Sequence, residues 1–472
     1  MKIIIAGAGK IGLHITKYLL EENLNITIID KNPLKIKDIV ETYPVSGITG
    51  ECTSLNILEK ADIKNTDIFI AATPDYETNM LACQLAEIYG VATKIAMLDS
   101  IDYLDEKWQD IFIFKKIAID KIISPTIDMM KAIEYRINYS YLNISNIFSL
   151  AEDKIKVISF ICTNNSLVLD RTIEDIEEEA IKNNINLRIA FIIRGSNVFI
   201  PTYKDKIKEH DKIFIATSTS TINDAYALLH SNLVNENIFL ENQSPNIIIT
   251  GDNPLIKDLA IRLSNKYSKI KVVNDVDNYD QLMLLELEKH NIEYVQDDIT
   301  NNKYRNNYLK NHKDIIIVMN TKDEDSTLTS IMLKYQNIGN IFTVLKNKYY
   351  TNLLNHNHIN HIFSPDNYIM NQILINLRRG VIYNILPLYN KIEIIDFELS
   401  ENSNALGKTV LEVEVAGKLS IISILNENDE VILFNTNTSL LQNYRVILAC
   451  LRSEIKEVES LFSQIINLNN KI

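Results

Sequence analysis

The chain has 472 residues, 46% apolar and 23% charged, a balance that excludes extensive disorder and, at roughly one domain per 150 residues, requires several hydrophobic cores. Its 48 basic residues face 61 acidic ones, and the formal charge of −13 disfavours general attraction to nucleic acid or anionic lipid. The four cysteines, Cys52, Cys83, Cys162 and Cys450, show no Cys-x-x-Cys spacing, so neither a zinc–thiolate centre nor a disulfide framework is indicated. No run reaches the ~18 apolar residues of a membrane span, and the opening lacks a signal peptide's long apolar core, so a cytoplasmic chain is expected.

The chain begins "MKIIIAGAGKIGLHI". An apolar run, Ile3 to Ala6, enters a glycine turn at Gly7, Gly9 and Gly12, and Leu13, Ile15 and Leu19 follow at helical spacing. Further strand-like runs lie at Ile26 to Ile29, Asp67 to Ala72 and Lys94 to Leu98, with helical periodicity over Gly12 to Leu20 and Glu77 to Tyr89. Strands alternating with helices at this spacing predict right-handed crossovers and a parallel sheet. Beyond "ISPTIDMMKAIEYRI" the texture changes. From Tyr141 to about Leu229 the runs "IKVISFI", "LRIAFIIRG", "NVFIP" and "DKIFIAT" follow closely, with one acidic helical stretch, Ile173 to Lys182, which predicts a small, mostly antiparallel α+β module. "NENIFLENQSPN", ending at Asn246, reads as a linker.

"NIIITGDNPLIKDLAIRL" then restarts the opening, with a shift of 244 residues taking Ile3 to Ile247. "DIIIVMNTKDEDS" parallels "DIFIAATPDYETN", "IFSPDNYIMNQI" parallels "IISPTIDMMKAI", and the small module returns as "LSIISILNENDEVILF" and "YRVILAC". The chain is a tandem duplication of a two-module unit, with expected divisions 1–138, 139–230, 244–385 and 386–472.

A strand leading through Gly-x-Gly-x-x-Gly into a helix suits a pyrophosphate. Gly7 makes the tight turn, Gly9 removes a Cβ from the phosphate path, and Gly12 lets helix and sheet approach. The phosphates then meet free N–H groups at the helix start near Lys10, with Ala8 and Ile11 completing the loop. Asp30 ends the second strand 18 residues after Gly12, where its carboxylate, with Lys31 beside it, would accept the adenosine ribose hydroxyls and disfavour a 2′-phosphate. NAD(H) is therefore favoured over NADP(H). Gly50 and Glu51 end the third strand on the same edge, and Thr73, Pro74, Asp75 and Asn79 leave the fourth. Three plainer readings compete: a bare strand–helix turn at the glycines, a solvated turn residue at Asp30, and simple helix capping at Thr73, Asp75 or Thr78.

A dehydrogenase would need a general acid or base. Tyr103 and Lys107 have Tyr-x-x-x-Lys spacing but fall at the wrong place in the fold, and an NAD-dependent oxidoreductase with an unrecognised acid or base is the alternative reading. His356, His358 and His361 in "NHNHINH" could bind a metal, but a solvated loop is the simpler expectation. In the trailing copy only the first glycine survives, as Gly251. Asn253, Ile256 and Asn274 stand for Gly9, Gly12 and Asp30, Pro254 is expected in the helix's first turn, and Asp275 lies one position past the ribose contact. That copy is expected to keep the fold and bind no dinucleotide in the ordinary way.

The repeat order, "MKIIIAGAGKIG", "AATPDYETNMLACQLA" and "AFIIRGSNVFIP" resemble the Trk-type potassium-uptake regulators, built from two RCK (regulator of potassium conductance) units. The resemblance implies an α/β fold in which each unit is a Rossmann-like nucleotide domain followed by a small α+β domain. It also implies a non-enzymatic cytosolic subunit, self-associating as a dimer or tetramer into a ring at the inner face of the membrane. Such a ring sits beneath a Trk/Ktr-type potassium-translocating membrane protein and responds to NAD(H), or to ATP and ADP at the same site. By position, Gly7, Gly9 and Gly12 would hold the phosphates, Asp30 the ribose, and Glu51, Thr73 and Asp75 would line the pocket. Stretches 124–137 and 364–383 correspond to the family's helix that crosses to a neighbouring unit. The fifth strand departs from the family: Met97 and Asp99 stand where arginines are usual, which removes a phosphate donor and adds repulsion.

Overall fold

The computed structural model describes residues 1–20, 24–100, 117–140, 142, 144–230, 245–274, 281–300, 314–346, 348–359, 361–370, 373–374, 381–389 and 391–462. Tyr103, Lys107, Asp275 and most of the linker stretch lie outside them. By internal packing the chain forms two compact units: Met1–Lys131 with Ser364–Asn376, and Ala132–Phe363 with Leu377–Ile472. The division does not follow the repeat, since a short segment of the trailing half belongs to the first unit. No helix among the described residues is long and apolar enough to cross a membrane.

The first unit is built on β1 (Lys2–Ala6), β2 (Asn25–Asp30), β3 (Ser46–Thr49), β4 (Ile68–Ala71), β5 (Thr93–Met97) and β6 (Lys121–Ile123). All pairs are parallel, in the order β3-β2-β1-β4-β5-β6. Ile3, Ile4, Ile5 and Ala6 are fully buried, as expected of a central parallel strand whose apolar run does not alternate. The helices are α1 (Lys10–Leu20), α2 (Pro33–Thr42), α3 (Leu55–Lys60), α4 (Tyr76–Ile88) and the start of α5 (Pro125–Asn138), which from Ala132 belongs to the second unit. Asn32 caps α2 by accepting from Leu34 N at 2.9 Å, and Pro33 occupies the first turn, where its missing N–H costs nothing. The strand order reverses between β1 and β4, so a crevice opens at their carboxyl ends. β6 adds one strand to the five expected; three residues are too few to show periodicity.

In the second unit, β7 (Asn146–Leu150), β8 (Ile155–Ile161), β9 (Leu187–Arg194), β10 (Asn197–Phe199) and β11 (Lys212–Ser218) form an antiparallel sheet in the order β10-β9-β11-β8-β7. The next sheet repeats the parallel topology. It contains β12 (Ile247–Thr250), β13 (Ile270–Asn274), β14 (Glu293–Gln296), β15 (Ile315–Met319), β16 (Asn340–Val344) and β17 (His361–Phe363), ordered β14-β13-β12-β15-β16-β17. The last repeats the antiparallel topology, with β18 (Val381–Leu388), β19 (Ile392–Glu398), β20 (Leu419–Leu425), β21 (Val431–Ile432) and β22 (Arg445–Leu451) ordered β18-β19-β22-β20-β21. The two antiparallel sheets share one core, in which Val157, Ala190 and Phe214 meet Ile394, Ile422 and Ile447.

Three expectations need correction. The trailing crossing helix does not reach Tyr383: Pro365–Tyr368 is a 3-10 turn, and Val381–Tyr383 already belong to β18. Gly380 precedes an alternating, β-branched "VIYNIL" that pairs with β19 from Val381 onward, so the boundary drawn at residue 385 falls inside a strand. Pro254 lies in a turn ahead of the helix Ile256–Ser264 rather than in its first turn.

Candidate functional site

The three glycines do different jobs. Gly7 has φ +110°, and a Cβ there would lie 2.7 Å from Ala72 O. A Cβ on Gly12 would lie 1.8 Å from Gly7 O, so the start of α1 rests directly on the turn. A Cβ on Gly9 would meet nothing within 4 Å. The fold therefore explains Gly7 and Gly12 but not Gly9, which is bare toward open space at the amino end of α1. Ala8 and Gly12 are buried, Gly9 and Ile11 half-buried, and Lys10 exposed.

Asp30 closes the loop from the side. Its Oδ2 accepts Ala8 N–H at 2.7 Å and its Oδ1 accepts Asn32 N–H at 2.8 Å, so one carboxylate fixes both the glycine turn and the exit of β2 while staying partly accessible. Gly50 N–H donates to Asp30 O at 3.0 Å, which carries Gly50 and the exposed Glu51 to the same edge, with Lys31 also exposed. Nearby, burial pushes the Cys52 thiol up to about 11, which makes it an inert core residue.

Across the crevice, Asp75 caps α4 by accepting Thr78 N–H at 3.1 Å, and this hydrogen bond lowers its carboxyl below the usual range. Asn79 is fully buried and fully engaged. Its Oδ1 accepts Thr73 N–H at 3.0 Å and Thr73 Oγ1–H at 2.6 Å, and its Nδ2 donates to Thr73 O and Met97 O, both at 2.9 Å. Asn79 thus holds the Thr73 turn in place and is not free to line a pocket, contrary to expectation. Thr73 is half-buried and Pro74 and Asp75 are exposed at the mouth.

Asp99 also departs from expectation. Its Oδ1 accepts Thr126 N–H at 2.9 Å and Ser124 Oγ–H at 3.0 Å, and its Oδ2 accepts Thr126 Oγ1–H at 2.5 Å. The Asp99 carboxylate is used at the positive end of α5, a role that sequence spacing across 27 residues does not reveal. Tyr76 OH donates to Asp99 O at 3.0 Å.

The trailing copy shows the same corner with Asn253 and Ile256 in place of the second and third glycines. Gly251 keeps φ +125° and would place a Cβ 2.0 Å from Met319 O, so the strand-end turn requires this glycine as it requires Gly7. The helix begins at Ile256, two residues later than Lys10 shifted by 244, which accommodates the fully buried Ile256. Asp252, standing for Ala8, accepts Thr321 N–H at 2.6 Å, and Asn274 Nδ2 donates to Gly251 O. The turn is laced to the next loop.

The histidine tract is not a solvated loop throughout. His356 and His358 are exposed, but His361 begins β17 with Nε2 3.3 Å from Arg136 Nη2. Burial, and then the Arg136 cation, hold its imidazole well below the ordinary value. No group of three or more metal-ligating side chains occurs among the described residues.

Residues 3–125 match the TrkA-N domain and residues 394–463 the TrkA-C domain. The chain is 24% identical over 468 residues to the Trk system potassium uptake protein TrkA of Vibrio alginolyticus, covering 98% of each. It is 23% identical over 466 residues to the protein of the same name from Azorhizobium caulinodans, again covering 98% of each. Among solved structures, the GsuK channel bound to NAD superposes with a TM-score of 0.56 at 13% identity, over 98% of this chain and 78% of that one. Two copies of a parallel-sheet and antiparallel-sheet pair and a glycine-turn crevice in the first copy accompany this likeness: the chain carries a TrkA-N and a TrkA-C domain and is similar from end to end to the TrkA potassium uptake proteins.

Proposed function

We propose that the chain is the cytosolic nucleotide-binding regulatory subunit of a Trk-type potassium-uptake system, acting without catalysis of its own. Gly7, Ala8, Gly9, Lys10, Ile11 and Gly12 cradle the phosphates of NAD(H), with ATP or ADP as the alternative at the same site. Asp30 and Lys31 meet the ribose, while Gly50, Glu51, Thr73, Pro74 and Asp75 border the pocket and Asn79 supports it from beneath. The similarity to proteins named for potassium uptake supports the regulatory reading, and the likeness to a channel solved with NAD supports the ligand. The observation that carries the site is Gly9, whose added Cβ would meet none of the described residues within 4 Å.

The bound nucleotide would supply charge at the amino end of α1. It can change the arrangement of the modules only through unequal affinity for two states, and a tenfold preference is about 1.4 kcal/mol. The modules of this reading are residues 1–138, 139–230, 244 to the start of β18, and the remainder. Assembly into a ring under the membrane partner is supported by repeated apolar stripes. Leu81 and Ile88 on α4 are exposed with Leu85 between them half-buried, and Leu328, Met332 and Tyr335, 247 residues on, are exposed on the helix Asp323–Tyr335.

The test is calorimetric titration of the full chain with NADH, NAD, ATP and ADP, alongside Gly9→Val combined with Asp30→Ala. One nucleotide per chain and loss of binding in the double variant are expected. Unchanged binding in that variant would remove the site, and a stoichiometry of two would restore the trailing crevice as a ligand site.

A further inference from the structure

The glycine loop carries a pairing that the duplication does not explain. Lys10 Nζ, at the first residue of α1, lies 2.9 Å from Asp366 Oδ2, 356 residues further along the chain. Asp366 belongs to Ser364–Asn376, the segment of the trailing half that is part of the first unit. Its position is built: Pro365 opens a 3-10 turn, Asn367 N–H donates to Ser364 O at 3.1 Å, and Ile369, Met370, Ile373 and Leu374 are buried just beyond. The Asp366 side chain is 27% exposed and that of Lys10 61%, so the acid is held while the lysine reaches out to it. In the leading half the matching residue is Thr126, whose hydroxyl turns to Asp99 instead. The acid at 366 is peculiar to the trailing copy.

We infer that Asp366 is a resident competitor for Lys10, so that a nucleotide's phosphates and the trailing half's segment contend for the same ammonium. This rests on the site reading above, because phosphates at the amino end of α1 are what would draw Lys10 away. Two consequences follow from charge alone. A ligand with more phosphate charge is penalised more by the nearby carboxylate, which makes Asp366 a selector for the dinucleotide against a triphosphate. By reciprocity, a ligand that takes Lys10 loosens the 364–370 turn, and the leading crevice thereby acts on the trailing half.

The experiment is a thermodynamic cycle on the full chain at low salt, titrating NADH and ATP into the unsubstituted protein, Asp366→Asn, Lys10→Met and the double variant. The pair is largely exposed and its contribution modest, so Asp366→Asn should tighten ATP by about fivefold and NADH by about twofold. The gain should shrink at high salt and vanish in the Lys10→Met background. Hydrogen exchange of residues 366–370 should rise when NADH binds the unsubstituted protein. Affinities unmoved by Asp366→Asn, or the same gain with Lys10 already replaced, would overturn the inference while leaving the site intact. Nucleotide binding seen only once Asp366 is replaced would support it. No binding in any variant would refute the site reading and this inference together.

Discussion

Gly9 and Gly12 stand three residues apart, one just before α1 and one in its first turn, yet alanine should act at them in opposite ways. At Gly12 the added methyl would sit 1.8 Å from Gly7 O, a backbone atom that cannot swing aside, so α1 must lift from the turn. Overpacking of this kind costs about 1–3 kcal/mol. With about 2 kcal/mol lost in the first unit, the thermal midpoint should fall by roughly 4–8 °C. At Gly9 the methyl meets nothing within 4 Å, so Gly9→Ala should leave the midpoint unchanged or raise it slightly through the lower entropy of the unfolded chain. Nucleotide binding should show the reverse order of specificity. Gly9→Ala puts its methyl where a phosphate must approach, and affinity should fall at least tenfold, about 1.4 kcal/mol, with the fold intact. Differential scanning calorimetry and NADH titration on the same samples separate the two effects. A stable Gly9→Ala protein that binds NADH normally would refute the argument, as would a Gly9→Ala midpoint as depressed as that of Gly12→Ala.

Other expectations concern the elements around the crevice and the second unit. Asp99→Ala should cost about 1 kcal/mol by uncapping α5 and should raise hydrogen exchange over residues 126–131, whereas Asp99→Asn, which can still accept Thr126 N–H, should largely retain both. Arg445 forks onto Asp396 at 2.6 and 2.7 Å with both side chains buried, so Arg445→Met should lose about 3–5 kcal/mol in urea unfolding. Adding Asp396→Leu should recover most of that loss, because the penalty lies in the stranded carboxylate. Burial lowers His230 to about 4 and, with the Arg136 cation, holds His361 well below its ordinary value, so the folded chain stays neutral there while the unfolded chain takes up protons near pH 6.5. Stability from these two should be complete above pH 6.5 and decline as pH falls from about 6.5 toward 4. Urea midpoints at pH 7.5, 6.0 and 5.0 should show that slope, flattened in His361→Asn; an equal slope in the variant would exclude His361 as a source.

The sequence by itself determined the alternation of parallel and antiparallel modules, their duplication, and the glycine corner of the leading copy. Each rests on short-range rules: period-two or unbroken apolar runs, helical spacing, and a turn that only residues lacking a Cβ can make. It also singled out the trailing corner as altered, since Asn253 and Ile256 are visible without any structure. The tertiary fold alone decided what long-range partners do. Asp99 reads as an acid in a phosphate site until Thr126 and Ser124 are brought to it. Asn79 reads as a pocket residue until its bonds to Thr73 and Met97 use up its amide. His361 reads as part of a polar loop until β17 places it against Arg136. Lys10 and Asp366 are separated by most of the chain, and no local pattern links them. Local backbone chemistry is written in neighbouring residues, whereas the partner of a charge or an amide is set by which distant elements the packing of apolar surfaces brings alongside it.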